Sequence, residues 1–137
     1  MNFLFRHYNR LKMPTKHIVV CEDDLGAQAR ISAHFAQIFE HQGYIIISYV
    51  SGSLAAASII FYEQVDLIIL DHDMPRGNGP DLLAWLKQEN KNIPIITFSG
   101  IPHNNMTMQL LGVKHIFNKE DVINGCADDV IKSVLGL

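Results

Sequence analysis

The stretch Leu67-Ile68-Ile69-Leu70-Asp71-His72-Asp73-Met74-Pro75 runs from four consecutive apolar residues straight into two carboxylates and a proline. A run that is apolar at every position, rather than at every second one, suits a strand covered on both faces, as in a parallel sheet between helices. The break in hydrophobicity puts Asp71 at the carboxyl end of that strand, where it can become a nucleophile. The same break recurs three times: Ile18-Val19-Val20-Cys21 gives way to Glu22-Asp23-Asp24, Ile95-Ile96-Thr97-Phe98 to Ser99-Gly100, and His115-Ile116-Phe117-Asn118 to Lys119. Four strand ends would then converge on one pocket.

Working outward, strands are expected over Lys16 to Cys21, Tyr44 to Val50, Asp66 to Leu70, Pro94 to Phe98 and Lys114 to Asn118. Helices are expected over Leu25 to Glu40, Ser53 to Tyr62, Gly79 to Glu89, Pro102 to Leu111 and Glu120 to Leu135. In the first helix, Ala29, Ile31, Phe35, Ile38 and Phe39 supply an inward face, while Gln28, Arg30 and Gln37 face water. Strand and helix alternate five times, which predicts an α/β fold, a doubly wound (βα)5 parallel sheet with helices on both faces. Such sheets bind ligands beyond the carboxyl ends of their strands, the edge where these polar residues fall.

A chain of 137 residues, 48% of them hydrophobic, fits one domain with a sizeable core. Its formal charge of −3 gives no basic surplus for phosphate backbones, so no direct nucleic-acid contact is expected. Cys21 and Cys126 lie far apart without metal-ligand spacing, and no apolar stretch is long enough to span a bilayer. A cytoplasmic location is the expectation. Residues 1–15 read as a flexible N-terminal extension, and 16–137 as the folded domain. The interleaving of Arg6, Arg10 and Lys12 with Phe3, Leu4, Phe5, Tyr8 and Leu11 would also suit an amphipathic arm.

The four motifs together resemble the receiver domain of response regulators in two-component signalling, over about residues 16–137. The acidic pair matches Glu22 and Asp23, and the phosphoacceptor matches Asp71, with Met74-Pro75 and Gly77-Asn78-Gly79 behind it. The hydroxyl matches Ser99 and the lysine Lys119. The resemblance implies a flavodoxin-like sheet of strand order 2-1-3-4-5 and the organisation of a single-domain, chemotaxis-regulator-like protein. It implies phosphoryl transfer from a phosphohistidine of a sensor histidine kinase or histidine phosphotransfer protein, as in a phosphorelay. Signalling would then pass by contact with an unidentified downstream protein, with homodimer formation left open.

The chemistry fits those residue types, because moving a phosphoryl group onto a carboxylate gathers negative charge that must be neutralised and positioned. Asp23 and Asp71 offer hard oxygens suited to Mg²⁺, with Glu22 acting through a bound water. The family also uses a backbone carbonyl two residues after the phosphoacceptor, here that of Asp73. Lys119 would pair with Asp71 before transfer and with a phosphoryl oxygen afterwards, while Ser99 donates a hydrogen bond to another oxygen. The domain would thus catalyse its own aspartyl phosphorylation and dephosphorylation without being a turnover enzyme in the usual sense. Asp24 reads as a helix N-cap and Asp81 as a first-turn acid.

Three positions depart from the family pattern. Ile116 stands where an aromatic switch is usual, and neighbouring Phe117 should be buried on the opposite face. Glu120 replaces the proline that usually follows the lysine, often through a cis bond; a cis bond before a non-proline costs on the order of 3 kcal/mol, so a trans Lys119-Glu120 bond is expected. Asp73 adds a carboxylate near the path of water to an aspartyl phosphate. Two other functions remain open: a receiver-like interaction module that works without phosphate, and a haloacid-dehalogenase-type phosphatase using Asp71 and Asp73.

Overall fold

The structure is a computed structural model that describes residues 15–40, 44–51, 59, 64–72 and 79–137, with backbone alone for 102–105. Five strands form one parallel sheet: β1 (Lys16–Cys21), β2 (Ile45–Val50), β3 (Leu67–Asp71), β4 (Ile95–Ser99) and β5 (His115–Asn118), in the order β2-β1-β3-β4-β5. The expected flavodoxin-like order and doubly wound class are what the chain adopts. The described helices are α1 (Leu25–Ile38), α2 (Gly79–Gln88), α3 (Pro102–Leu110), α4 (Lys119–Ile123) and α5 (Asp128–Leu135). The helix expected over Ser53 to Tyr62 lies outside the described residues except for helical, buried Ile59. The N-terminal extension expected over 1–15 lies outside them but for Thr15.

Every residue of β3 is buried, as its unbroken apolar run requires. Alternation along the strands sends side chains into two layers. Ile18, Val20, Leu67, Ile69, Ile96 and Phe98 join Ile31 and Phe35 of α1 and Ile131 of α5. Val19, Cys21, Ile68 and Leu70 instead meet Leu82, Leu83 and Leu86 of α2 and Met108 of α3. Phe117 packs on the first layer and Ile116 on the second, opposite faces as expected, though both stay only partly buried.

Two expectations about helices need correction. The buried stripe of α1 is Ala27, Ile31 and Phe35, continued by Phe39, a strict i, i+4 series; Ala29 is off that stripe and exposed. The last helix is not continuous from Glu120 to Leu135 but breaks at Gly125, whose φ of 89° ends α4 in a left-handed cap. Cys126 N–H donates to Asp121 O and Gly125 N–H to Val122 O, the paired bonds of a Schellman motif. The same bond pair closes α2 at Asn90, α3 at Gly112 and α5 at Gly136, each with positive φ.

Candidate functional site

Strand register decides which side chains meet. Cys21 pairs with Leu70, so one residue further lie Glu22 and Asp71, side by side on neighbouring strands. Both continue the parity of Val20 and Ile69, which face the layer of α1 and α5. Asp71 pairs with Phe98, and Ser99 with Asn118, so Lys119 emerges at the same edge two strands away. Asp24 caps α1 by accepting from Ala27 N–H at 2.8 Å, which fixes the chain just after the acidic pair, as the sequence suggested.

Glu22 and Asp71 are each 1% exposed. Two carboxylates in so dry a place need a cation. Lys119 supplies it: its Nζ lies 3.1 Å from Glu22 Oε2, an ion pair by distance though off the line of a hydrogen bond, and donates to Asp71 Oδ2 at 3.4 Å. The ammonium also sits 5.8 Å from the centre of the Phe98 ring, a cation–π contact. Burial pushes the Lys119 pKa down, but the negative charges of Asp71 and then Glu22 outweigh it and hold the group above the ordinary lysine value. Glu22 Oε1 accepts from Asp24 N–H at 2.9 Å, leaving its Oε2 buried without a hydrogen bond of good geometry.

The remaining sequence candidates fall at the same edge or outside the described residues. Asp23 is half-buried, next to Glu22. Ser99 is fully buried, and its Oγ accepts from Ile101 N–H at 3.0 Å, which leaves the hydroxyl proton available to a ligand. A side chain on Gly100 would meet nothing within 4 Å, so the space beside Ser99 is open. Asp73, whose carbonyl was expected as a metal ligand, lies outside the described residues. Sequence reading did not single out Gly79 for the role it plays. Its N–H donates to His72 O at 3.0 Å, and a Cβ there would come within 3.1 Å of Asp71 O, so it lets α2 begin against the backbone of the acid.

Glu22, Asp23 and Asp71 carry three negative charges against the one positive charge of Lys119. The Cys21 thiol below them is pushed up to about 12, by burial first and then by Asp23 and Asp71. Hard carboxylate oxygens with excess negative charge fit a divalent cation such as Mg²⁺. Among the described residues, no three acid, histidine or cysteine side chains gather as a metal cluster, so these side chains alone do not complete a coordination sphere. The Lys119–Glu120 peptide bond is trans, as expected. No described helix is long and apolar enough to cross a membrane.

The chain resembles known proteins in both sequence and fold. TorCAD operon transcriptional regulatory protein TorR of Escherichia coli (strain K12) is 36% identical over 84 residues, 61% of this chain and 34% of that protein. The match thus spans about a third of the length of this relative. Among solved structures, the receiver domain of the Francisella response regulator 1452 is 25% identical, with a TM-score of 0.64 over 88% of this chain and 93% of that one. The signal receiver domain of a DNA-binding response regulator from Colwellia psychrerythraea 34H shares the fold, with a TM-score of 0.73 at 20% identity over 89% of this chain and 99% of that one. The family model of the response regulator receiver domain matches residues 18–120, a span that holds both acid-bearing strand ends, Ser99 and Lys119. With that match over most of its length and the same fold in solved receiver domains, the chain belongs to the response regulator receiver domain family of two-component signalling.

Proposed function

We propose that the domain, residues 16–137, accepts a phosphoryl group on Asp71 from a phosphohistidine of a sensor histidine kinase or histidine phosphotransfer protein. The observation that carries this reading is Asp71 itself, 1% exposed at a strand end and bonded to Lys119. A carboxylate oxygen of Asp71 attacks phosphorus, the P–N bond of the donor breaks, and the imidazole leaves with the electron pair and takes up a proton. Lys119 holds Asp71 before transfer and turns its ammonium to a phosphoryl oxygen afterwards. The Ser99 hydroxyl donates to another oxygen. Asp23 and Asp71, with Glu22 through water and the carbonyl of Asp73, would hold Mg²⁺, which when bound neutralises charge on the phosphoryl oxygens. Asp73 would also set how water reaches the product. Signalling then proceeds by protein contact, on the cytoplasmic side where such donors act.

A small phosphodonor such as phosphoramidate tests the reading. With Mg²⁺, mass spectrometry should find one added phosphoryl group on Asp71, and Asp71→Asn should take none. Failure of the wild-type protein to label would favour a phosphate-independent interaction module. That second reading draws on Ile116, which packs on the α2 layer and offers no ring to follow the state of Ser99. Repeated release of phosphate from a monoester would instead indicate a phosphatase.

A further inference from the structure

Helix α1 grips the C-terminal part of the chain at two points one turn apart. Arg30 donates from Nη1 to Glu120 Oε1 at 2.9 Å and from Nη2 to Oε2 at 2.8 Å. Four residues later, His34 Nε2 stands 2.9 Å from each carboxylate oxygen of Asp128. Residues at i and i+4 share a helix face, so one face of α1 holds both acids. Glu120 and Asp128 lie on opposite sides of the turn at Gly125, so the two short helices are fastened to the same support although the chain between them is broken.

Helix α4 needs such a support. It has five residues and a single buried side chain, Val122, which is too little to hold its own direction. Its first residue is Lys119 and its second Glu120. Successive side chains on a helix diverge by about 100°, so these two point in different directions. Fixing the Glu120 carboxylate in the planar fork of Arg30 therefore sets the rotation of the turn that aims the Lys119 ammonium. The Arg30 and Glu120 side chains are 55% and 62% exposed, so their value lies in this geometry and not in stability.

We propose that Arg30 and Glu120 are positioning residues that hold the first turn of α4 so that Lys119 Nζ meets Asp71 and Glu22, a role that rests on Asp71 being the phosphoacceptor. Two readouts test it in the full chain. One is the labelling rate with phosphoramidate and Mg²⁺; the other is the order of the Lys119 ammonium, from side-chain ¹⁵N relaxation without metal or donor. Arg30→Ala, Glu120→Gln and Arg30→Lys, the last keeping the charge but losing the fork, should slow labelling about two- to fivefold and lower the Lys119 order, with little change in melting temperature. The exchange Arg30→Glu with Glu120→Arg should restore both.

Either readout staying at its wild-type value in the single variants would overturn the proposal, as would an exchanged protein as slow as the singles. If the wild-type protein does not label at all, the phosphoacceptor reading fails. The relaxation measurement alone then decides whether Arg30 and Glu120 position Lys119.

Discussion

At the scale of single residues, Lys119 matters most, because Glu22 and Asp71 are both buried and it stands against both. Lys119→Met should lower stability at neutral pH by about 2 kcal/mol, less than the roughly 3–5 of a fully dry pair because the ammonium is partly wetted. The sign with pH follows from the raised pKa of Lys119 in the folded state. Its contribution is full below the ordinary lysine value of about 10.4 and is lost as pH rises through the raised folded-state value. The melting-temperature gap between wild type and Lys119→Met should therefore be widest near neutrality and close in strong alkali. A gap that grows above that range would contradict the pairing. Asp71 and Ser99 were legible as strand-end residues because hydrophobicity stops abruptly before each, and Lys119 because it follows the short run His115-Ile116-Phe117-Asn118. The partners Arg30 and Glu120 were not, since they are 90 positions apart in the chain and nothing local marks them as a pair.

At the scale of elements, the strands were readable to within a residue because fully buried parallel strands leave unbroken apolar runs, as in β3. The C-terminal helix was read as one piece because Asp121, Val122, Ala127 and Ile131 look continuous in composition, and an interior glycine is tolerated in many helices. The signal was present nonetheless: Gly125 ends α4 with the same bond pair that Gly112 and Gly136 make at the ends of α3 and α5. Gly125→Ala should destabilise by about 1–2 kcal/mol from the left-handed backbone alone. The new Cβ would also stand 3.0 Å from Asp128 Oδ2 and 3.1 Å from His34 Cε1, whereas at Gly112 it would meet nothing within 4 Å. Thermal melts should show Gly125→Ala losing more than Gly112→Ala, by roughly 3–8 °C against wild type for the former. Equal losses would mean that the His34–Asp128 contact can yield without cost. The misplacement of Ala29 has a simpler origin: a small apolar residue fits either face of a helix, and only Ala27 falls in step with Ile31 and Phe35.

At the scale of the whole molecule, the sheet order places β3 between β1 and β4, so the charge of three elements far apart in sequence meets at one edge. Fold class was the most legible property, because alternation of strand and helix and the handedness of crossovers leave few arrangements. The excess negative charge at that edge gives a global test. If Mg²⁺ binds the folded state alone, ten times its Kd should add about 1.4 kcal/mol and raise the melting temperature by roughly 3–6 °C. That increment should vanish in Asp71→Asn, and a wild-type protein indifferent to Mg²⁺ would sink the metal assignment.

The pairing of Glu22 with Lys119 joins one end of the domain to the other. A chain emerging from the ribosome presents Glu22 and Asp71 long before Lys119, and β4 and β5 must both add to the sheet before the ammonium arrives. Until then the two acids face each other without their cation, which discourages them from being buried together. Joint burial of the two acids thus waits for β5 and the residue that follows it, which makes closing this edge a late step in building the sheet.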